Sequence, residues 1–209
     1  MPTVCASERE NNMGDKRFAE IHRTTGETDV LIRLDLNGNG SYEVNTGVPF
    51  LDHMLILFAV HSRINLIVTA HGDLEVDDHH TVEDIGICLG DAIKKALGDK
   101  SGIHRYGETT LPMDEALARV VLDLSGRSYL VYQVNIPSER LGQLSTENVR
   151  EFFQAVVNHA GLTLHIDLLR GDNSHHIVEA VFKAFGRALR QAISYEEGIE
   201  GVWSSKGKL

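Results

Sequence analysis

The stretch HHTVEDIGICLGDAIKKAL (residues 79–97) returns 96 positions later as HHIVEAVFKAFGRALRQAI (residues 175–193). Both copies place apolar residues at helical spacing, which predicts an amphipathic helix that begins with two histidines and a glutamate. The apolar positions are Val82, Ile85, Leu89 and Ile93 in the first copy and Val178, Phe182, Phe185 and Leu189 in the second. A repeat of this length indicates a fold built from two similar halves.

The sequence upstream of the two helices is also organised in parallel. In the first half, alternating patterns predict strands at 18–24, 28–36 and 41–46, a helix at 50–61 and a strand at 64–70. In the second half, the corresponding strands are predicted at 106–111, 117–124 and 128–136, with a helix at 146–160 and a strand at 162–168. Each half therefore has the order βββαβα.

This order predicts an α/β fold of the α+β two-layer sandwich type, internally duplicated and ferredoxin/ribosomal-protein-S5-like in each half. The first half is predicted to cover residues 17–104 and the second half residues 105–209. The open sheet faces of the two halves are expected to pair with each other. Residues 1–16 have neither the apolar core of a secretory signal nor the make-up of a transit peptide, and are predicted to be a disordered tail.

Charge and composition exclude several classes of partner. The 209 residues carry a formal net charge of −10 at pH 7, which argues against a nucleic-acid or anionic membrane surface, since both need clustered positive charge. No window approaches the ~18 consecutive apolar residues of a transmembrane span. Cys5 and Cys88 form no CxxC pair, so a reducing, cytoplasmic location is expected.

Each HHxxE segment has the spacing of a metal-ligand set. His79 and Glu83 are four residues apart and share one helix face, whereas His80 is turned by about 100° and faces elsewhere. The second copy repeats this arrangement. If the halves are related by a pseudo-two-fold axis, the ligands of the two ions are His79, Glu83 and His176 for one, and His175, Glu179 and His80 for the other.

The helix that precedes each repeat is expected to supply a further ligand. His53 lies 26 residues before His79, and the repeat-equivalent position is Glu151, which lies 24 residues before His175. Mixed imidazole and carboxylate ligands suit manganese, iron, cobalt or zinc. Packing gives no reason to repeat two adjacent histidines and a glutamate, so the pattern favours metal binding over a structural role.

Six separated motifs resemble those of the imidazoleglycerol-phosphate dehydratase family. They are GVPFLDHML (47–55), DDHHTVEDIGI (77–87), DEALARVVLDLSGR (114–127), TLHI (163–166), NSHHIVEAVFKAFGRALRQA (173–192) and SSKGKL (204–209). The resemblance runs from about residue 17 to the C-terminus. It implies a duplicated α/β fold, two Mn²⁺ ions per active site, and self-association to a 24-mer whose sites are shared between subunits.

The resemblance also implies the reaction. A hydro-lyase of this family dehydrates D-erythro-imidazole-glycerol phosphate to imidazole-acetol phosphate in histidine biosynthesis, and we expect the reaction to pass through a dimetal-bound imidazolate. The residues assigned to the chemistry are Glu27, His53, Glu83 and Glu179. Among these, Glu27 is the candidate base that abstracts a proton.

Carried over motif by motif, the implied metal ligands are His53, His79, His80, Glu83, His175, His176 and Glu179, with Glu151 at a position where the family carries a histidine. The implied substrate-binding residues are Glu27, His61, Arg105, Arg127, Lys183, Ser204, Ser205 and Lys206. Of these, the last three belong to a C-terminal phosphate-binding tail. Fixed positive charge and hydroxyl donors suit the phosphate group of such a substrate.

Two other functions are compatible with repeated His/Glu sites. A dinuclear metallohydrolase would use the same ligands to activate water on a phosphate ester. A metal-storage cage would use them without catalysis, but that interpretation gives no purpose to Arg105, Arg127 or the SSK tail.

Overall fold

The computed structural model describes residues 17–207, so the predicted tail at 1–16 lies outside the described residues. The first half contains β1 (Phe18–Thr24), β2 (Thr28–Asp35), β3 (Tyr42–Asn45), α1 (Pro49–Ser62), β4 (Asn65–Gly72) and α2 (His79–Leu97). The second half contains β5 (Tyr106–Met113), β6 (Ala116–Asp123), β7 (Tyr129–Gln133), β8 (Arg140–Leu141), β9 (Leu144–Ser145), α3 (Glu147–Ala160), β10 (Thr163–Arg170) and α4 (Ser174–Ile193). The duplicated α/β order is confirmed.

The two four-stranded sheets have the same topology. Their strand orders are β1-β2-β4-β3 and β5-β6-β10-β7, and in each sheet only the last pair is parallel. Strand β2 shows why one face is buried: Val30, Ile32 and Leu34 alternate with more exposed residues and point into the core. This period of two is the pattern that predicts a half-buried strand.

The halves are joined through their helices, so the expected pairing of open sheet faces is wrong. Helix α1 packs against α4 and α2 packs against α3, while α2 also covers β1 and β2, and α4 covers β5 and β6. Phe58 and Phe185 stack with ring centroids 5.3 Å apart across the α1/α4 contact. Helices α2 and α4 bury residues on more than one face, so the helices lie between the sheets and leave the outer sheet faces exposed. The division at residues 104 and 105 stays a prediction.

Two repeat-equivalent glycines allow these helix pairs to approach closely. A Cβ atom added to Gly186 of α4 would lie 2.9 Å from the Phe58 carbonyl oxygen on α1. A Cβ atom added to Gly90 of α2 would lie 2.8 Å from the Val156 carbonyl oxygen on α3. The same contact therefore brings α1 beside the HHxxE segment of α4 and α3 beside that of α2.

The main departure from the predicted elements lies between β7 and α3. Strand β7 ends at Gln133, because its parallel pairing with β10 ends at Asp167, whereas the sequence pattern extends it to residue 136. The hairpin β8–β9 follows, and Asp78 anchors it by accepting hydrogen bonds from the Ser145 N–H and Oγ, both at 2.8 Å. Within the described residues, no helix is both long and apolar enough to cross a membrane.

Candidate metal centre

Three predicted ligands converge where α1 meets α4. His53 Nε2 lies 3.4 Å from Glu179 Oε2, and His175 Nε2 lies 3.2 Å from the same oxygen. The rings of His53 and His175 have centroids 5.7 Å apart. His175 and Glu179 meet because residues four apart share a face of a helix. One ligand atom from each of the three residues falls within a 4.8 Å cluster, which is a possible metal-binding triad.

The groups around Glu179 favour the ionised form of its carboxyl group. The Glu179 residue is 7% exposed, and its Oε1 atom pairs with the Nζ of Lys183, one turn along the helix. Burial alone would raise the pKa of Glu179, but Lys183, His53 and His175 outweigh burial and hold the pKa below its usual range. A buried carboxylate between two imidazoles fits a divalent transition metal, since all three groups are ordinary ligands of such ions.

The doublet of α2 is held by different partners. His79 Nδ1 lies 3.0 Å from Asn148 Oδ1 on α3, and His80 Nδ1 lies 3.0 Å from Asp73 Oδ2. Glu27 Oε2 is 3.8 Å from the same nitrogen of His80, beyond hydrogen-bonding distance. The hydrogen bond to Asp73 raises the pKa of His80, and Glu27 adds to this effect.

The second histidine of α4 is held in the same way by a glutamate. His176 Nδ1 lies 2.7 Å from Glu115 Oε2, and the Asp114 carboxylate is 3.7 Å from His176 Nε2. The hydrogen bond to Glu115 raises the pKa of His176. In return, His176 and the backbone N–H of Asn173 lower the pKa of Glu115 to about 2. Both doublets thus have a carboxylate on the Nδ1 side of their second histidine.

The remaining predicted ligands do not join a cluster within one chain. Glu151 lies on α3 at the position that corresponds to His53 on α1, but its ion-pair partner is Arg150, at 3.1 Å. In the described range 17–207, the only set of three ligand atoms within 4.8 Å is the triad, so Glu83 and Glu151 are outside it. Likewise, His176 does not meet His79 and Glu83 there. Their grouping around an ion stays a prediction.

Two of the predicted phosphate-binding residues, Arg105 and Arg127, form a separate cationic cluster. Asp123 accepts hydrogen bonds from Arg105 Nε and Nη2 at 2.7 and 3.0 Å, and lies 3.8 Å from Arg127 Nη2. Arg105 Nη1 donates to the Trp203 carbonyl oxygen at 2.8 Å, which ties the segment before Ser204 to this cluster. The structure therefore places Arg105 and Arg127 together, next to the start of the SSK tail.

The triad and the cationic cluster lie at different ends of α4. The backbone N–H of Arg105 donates to the carbonyl oxygen of Ala192, near the end of the helix. Ala192 is 13 residues after Glu179, which corresponds to about 20 Å along the axis. Lys183 is the one predicted substrate-binding cation beside the triad. A small substrate cannot reach both ends of this helix within one chain.

His61 lies between these two ends. Burial, together with the positive charges of Lys183 and Arg187, lowers the pKa of His61 and so favours its neutral form. The side chain lines a cavity of about 410 Å³ that also contains Arg63, Arg187 and Arg190. Its predicted contact with substrate stays a prediction.

Sequence reasoning missed four residues that hold the predicted site residues in place. These are Asp73, Glu115, Asp123 and Asn148. Glu115 and Asp123 lie inside the motif at 114–127, which is a signal that could have identified them. Asp73 and Asn148 carry no such signal, because only the fold brings them beside a histidine.

Known proteins resemble the chain over nearly its whole length. The family model for imidazoleglycerol-phosphate dehydratase matches residues 46–189. Curated dehydratases of this name from Syntrophomonas wolfei and Geobacter sulfurreducens are 64% and 57% identical, covering 94% and 92% of this chain and 100% and 99% of their own lengths.

Solved structures give the same result. The crystal structure of the dehydratase from Staphylococcus aureus has 46% identity and a TM-score of 0.78, covering 86% of this chain and 99% of its own. The Pyrococcus furiosus dehydratase has 39% identity and a TM-score of 0.79, covering 90% of this chain and 100% of its own. With a family model over most of its length and relatives above half identity, the chain belongs to the imidazoleglycerol-phosphate dehydratase family.

Proposed function

We propose that this chain dehydrates D-erythro-imidazole-glycerol phosphate to imidazole-acetol phosphate in the cytoplasm, using two divalent metal ions, Mn²⁺ in the cell, held by its two HHxxE segments. Family membership makes the chain a hydro-lyase of histidine biosynthesis. The observation that carries the metal proposal is the convergence of His53, His175 and Glu179 within 4.8 Å.

The chain's own residues supply the ligands. One set of ligands consists of His53, His175 and Glu179. The other set consists of His79 and Glu83 on α2 together with Glu151 on α3, where the family carries a histidine. His80 and His176 point to the other faces of the two helices and complete the sets. When bound, the ions supply Lewis-acid charge that stabilises negative charge on the imidazole nitrogens of the substrate.

Proton transfer falls to Glu27 in this proposal. The Glu27 side chain is 57% exposed and lies beside His80, so it borders the place where the substrate ring would bind. The hydroxyl on the carbon that adjoins the ring leaves as water with a proton from solvent, and Glu27 takes the proton from the neighbouring carbon of the chain and returns it to solvent. The enol that results becomes the ketone product. A positioned carboxylate of this kind contributes a factor of ~100 to 10,000 to a rate.

The separation along α4 supports sites shared between subunits. Because about 20 Å of helix divides Glu179 from the end that holds Arg105, the phosphate of a substrate bound at the triad needs cations from another chain. Arg105, Arg127, Ser204, Ser205 and Lys206 of a neighbouring subunit supply them, with Lys183 from the same chain as the triad. We propose the 24-mer of the resemblance as the assembly that brings them together.

The test is a product assay before and after metal removal. The protein as isolated should convert imidazole-glycerol phosphate to a ketone without releasing phosphate. Chelation with EDTA should abolish the activity, and added Mn²⁺ should restore it. Release of inorganic phosphate would instead identify a metallohydrolase, and full activity after verified removal of all metal would contradict the proposed role of the ions.

A further inference from the structure

Two glutamates occupy equivalent places in the two halves. Glu27 is the residue before β2 and Glu115 is the residue before β6, and these strands hold the same position in their sheets. Glu27 faces His80 Nδ1 at 3.8 Å, and Glu115 faces His176 Nδ1 at 2.7 Å. The duplication therefore set the same side chain beside the same histidine twice, but only the second pair is close enough for a hydrogen bond.

Asp73 takes over this hydrogen bond in the first half. Its Oδ2 atom lies 3.0 Å from His80 Nδ1, and its backbone N–H donates to the Glu27 carbonyl oxygen at 3.2 Å. In the described range, the Glu27 carboxylate accepts no hydrogen bond. In the first half, Asp73 therefore fixes His80, and the Glu27 carboxylate is not needed for that hydrogen bond.

Glu115 is held rigidly in the second half. While its Oε2 atom accepts from His176, its Oε1 atom accepts from the backbone N–H of Asn173 at 2.9 Å and of Asp172 at 3.4 Å. Asn173 in turn caps α4, because its side chain accepts from the N–H groups of His175 and His176. The Glu115 carboxylate is therefore fixed to the same helix start that carries the doublet.

We propose that Glu115 is a positioning residue: it accepts the Nδ1–H of His176, fixes that tautomer and presents Nε2 to a metal ion, as Asp73 does for His80. A carboxylate on the far nitrogen both selects the tautomer and increases the basicity of the ligating nitrogen. The repeat counterpart of Glu115, Glu27, is spared this role and exchanges protons with the substrate. This inference rests on the proposed role of the doublets as metal ligands.

The experiment compares matched carboxylate-to-amide variants of the assembled protein. Mn²⁺ alone is the probe, and its affinity for metal-free protein is measured by competition with a chelator. Glu115→Gln should lower the affinity for one of the two Mn²⁺ ions by about 10- to 100-fold. Glu27→Gln should leave both affinities unchanged and lower kcat by ~100- to 10,000-fold. Glu43→Gln, which is exposed on β3 and lies outside both clusters, should change neither.

The amide variant also separates positioning from a structural role. A glutamine at residue 115 keeps an oxygen for the N–H groups of Asn173 and Asp172, so the start of α4 is retained, but its NH₂ group can donate to Nδ1 and the tautomer is no longer fixed. Thermal unfolding of the metal-free variants checks this retention. Asp73→Asn is the second variant, and it should lower the affinity for the other Mn²⁺ ion.

The outcomes distinguish this inference from the proposed function. If Glu115→Gln binds both ions as tightly as the parent, or if Glu27→Gln weakens binding as much, the positioning role is wrong while the metal centre stands. If the parent protein itself binds no Mn²⁺, the proposed metal centre is wrong, and this inference with it. A loss of Mn²⁺ affinity that is confined to Glu115→Gln and Asp73→Asn supports the positioning role of these two carboxylates.

Discussion

The packing of α1 against α4 holds the three side chains of the triad in positions from which they can bind a metal ion. Glu179 is buried and receives Lys183 on one oxygen, which leaves the other oxygen facing His53 and His175. An unpaired buried carboxylate is costly, so Lys183 compensates for the charge. The sequence spacing identified these side chains, whereas the compensation by Lys183 required the fold.

Cys88 gives a prediction at the same scale. It lies fully buried on α2, and burial raises the pKa of its thiol to about 12. The reactive thiolate forms only as the pH rises through that value, so at pH 8 to 9 almost none is present. Iodoacetamide should therefore leave the Cys88 peptide unmodified in the folded protein, as read by mass spectrometry.

The control for this labelling is the protein unfolded in guanidinium, where the Cys88 peptide should be alkylated at the rate of an ordinary thiol. Alkylation of Cys88 in the folded protein at pH 8, at the rate of a free thiol, would show that the α2 surface around it is open rather than packed.

At the scale of elements, sequence periodicity predicted nearly all of the fold. The strands and helices came from periods of 2 and 3.6 residues, and the duplication came from the two HHxxE helices. The β8–β9 hairpin was missed because its strands have two residues each and show no alternation. The expected sheet-to-sheet pairing is wrong because α2 and α4 each bury a second face in addition to the apolar stripe that the sequence predicts.

The glycines between the helices yield an element-scale prediction. Gly186→Ala adds a Cβ atom 2.9 Å from the Phe58 carbonyl oxygen, and backbone atoms cannot yield without separating α1 from α4. Although alanine favours a helix, we expect the variant to lose on the order of 1–3 kcal/mol of unfolding free energy from overpacking. Chemical denaturation measures the change.

Gly26→Ala is the matched control, because a Cβ atom there meets nothing within 4 Å. It should be no less stable than the parent. A Gly186→Ala protein that matches or exceeds the stability of the parent would mean that the α1/α4 contact is looser than described.

At the scale of the whole molecule, sharing of sites predicts complementation between inactive variants. Glu179→Gln damages the triad and keeps the cationic cluster, whereas Arg127→Ala does the reverse. If each site takes its triad and its cations from different chains, assemblies formed from an equal mixture should regain up to about a quarter of the parent activity. Steady-state assays on mixtures and on each variant alone measure the recovery.

Size-exclusion chromatography should confirm that the mixed chains have assembled together. A mixed assembly as inactive as its parts would place each complete site within one chain, and the 20 Å separation along α4 would then need another explanation. The same experiment tests a point that the sequence does not predict. The sequence identifies Arg105 and Arg127 as substrate-binding residues, but only the fold shows how far they lie from the triad.

The most direct test of the account is a Mn²⁺ titration of the metal-free protein. Two ions should bind per chain in the parent and in His22→Ala, whose histidine pairs with Asp29 away from both doublets. Fewer than two should remain in His175→Ala and in His79→Ala. Two ions still bound after either doublet is broken, or none bound by the parent, would contradict the claim that the repeated HHxxE segments form the metal centre.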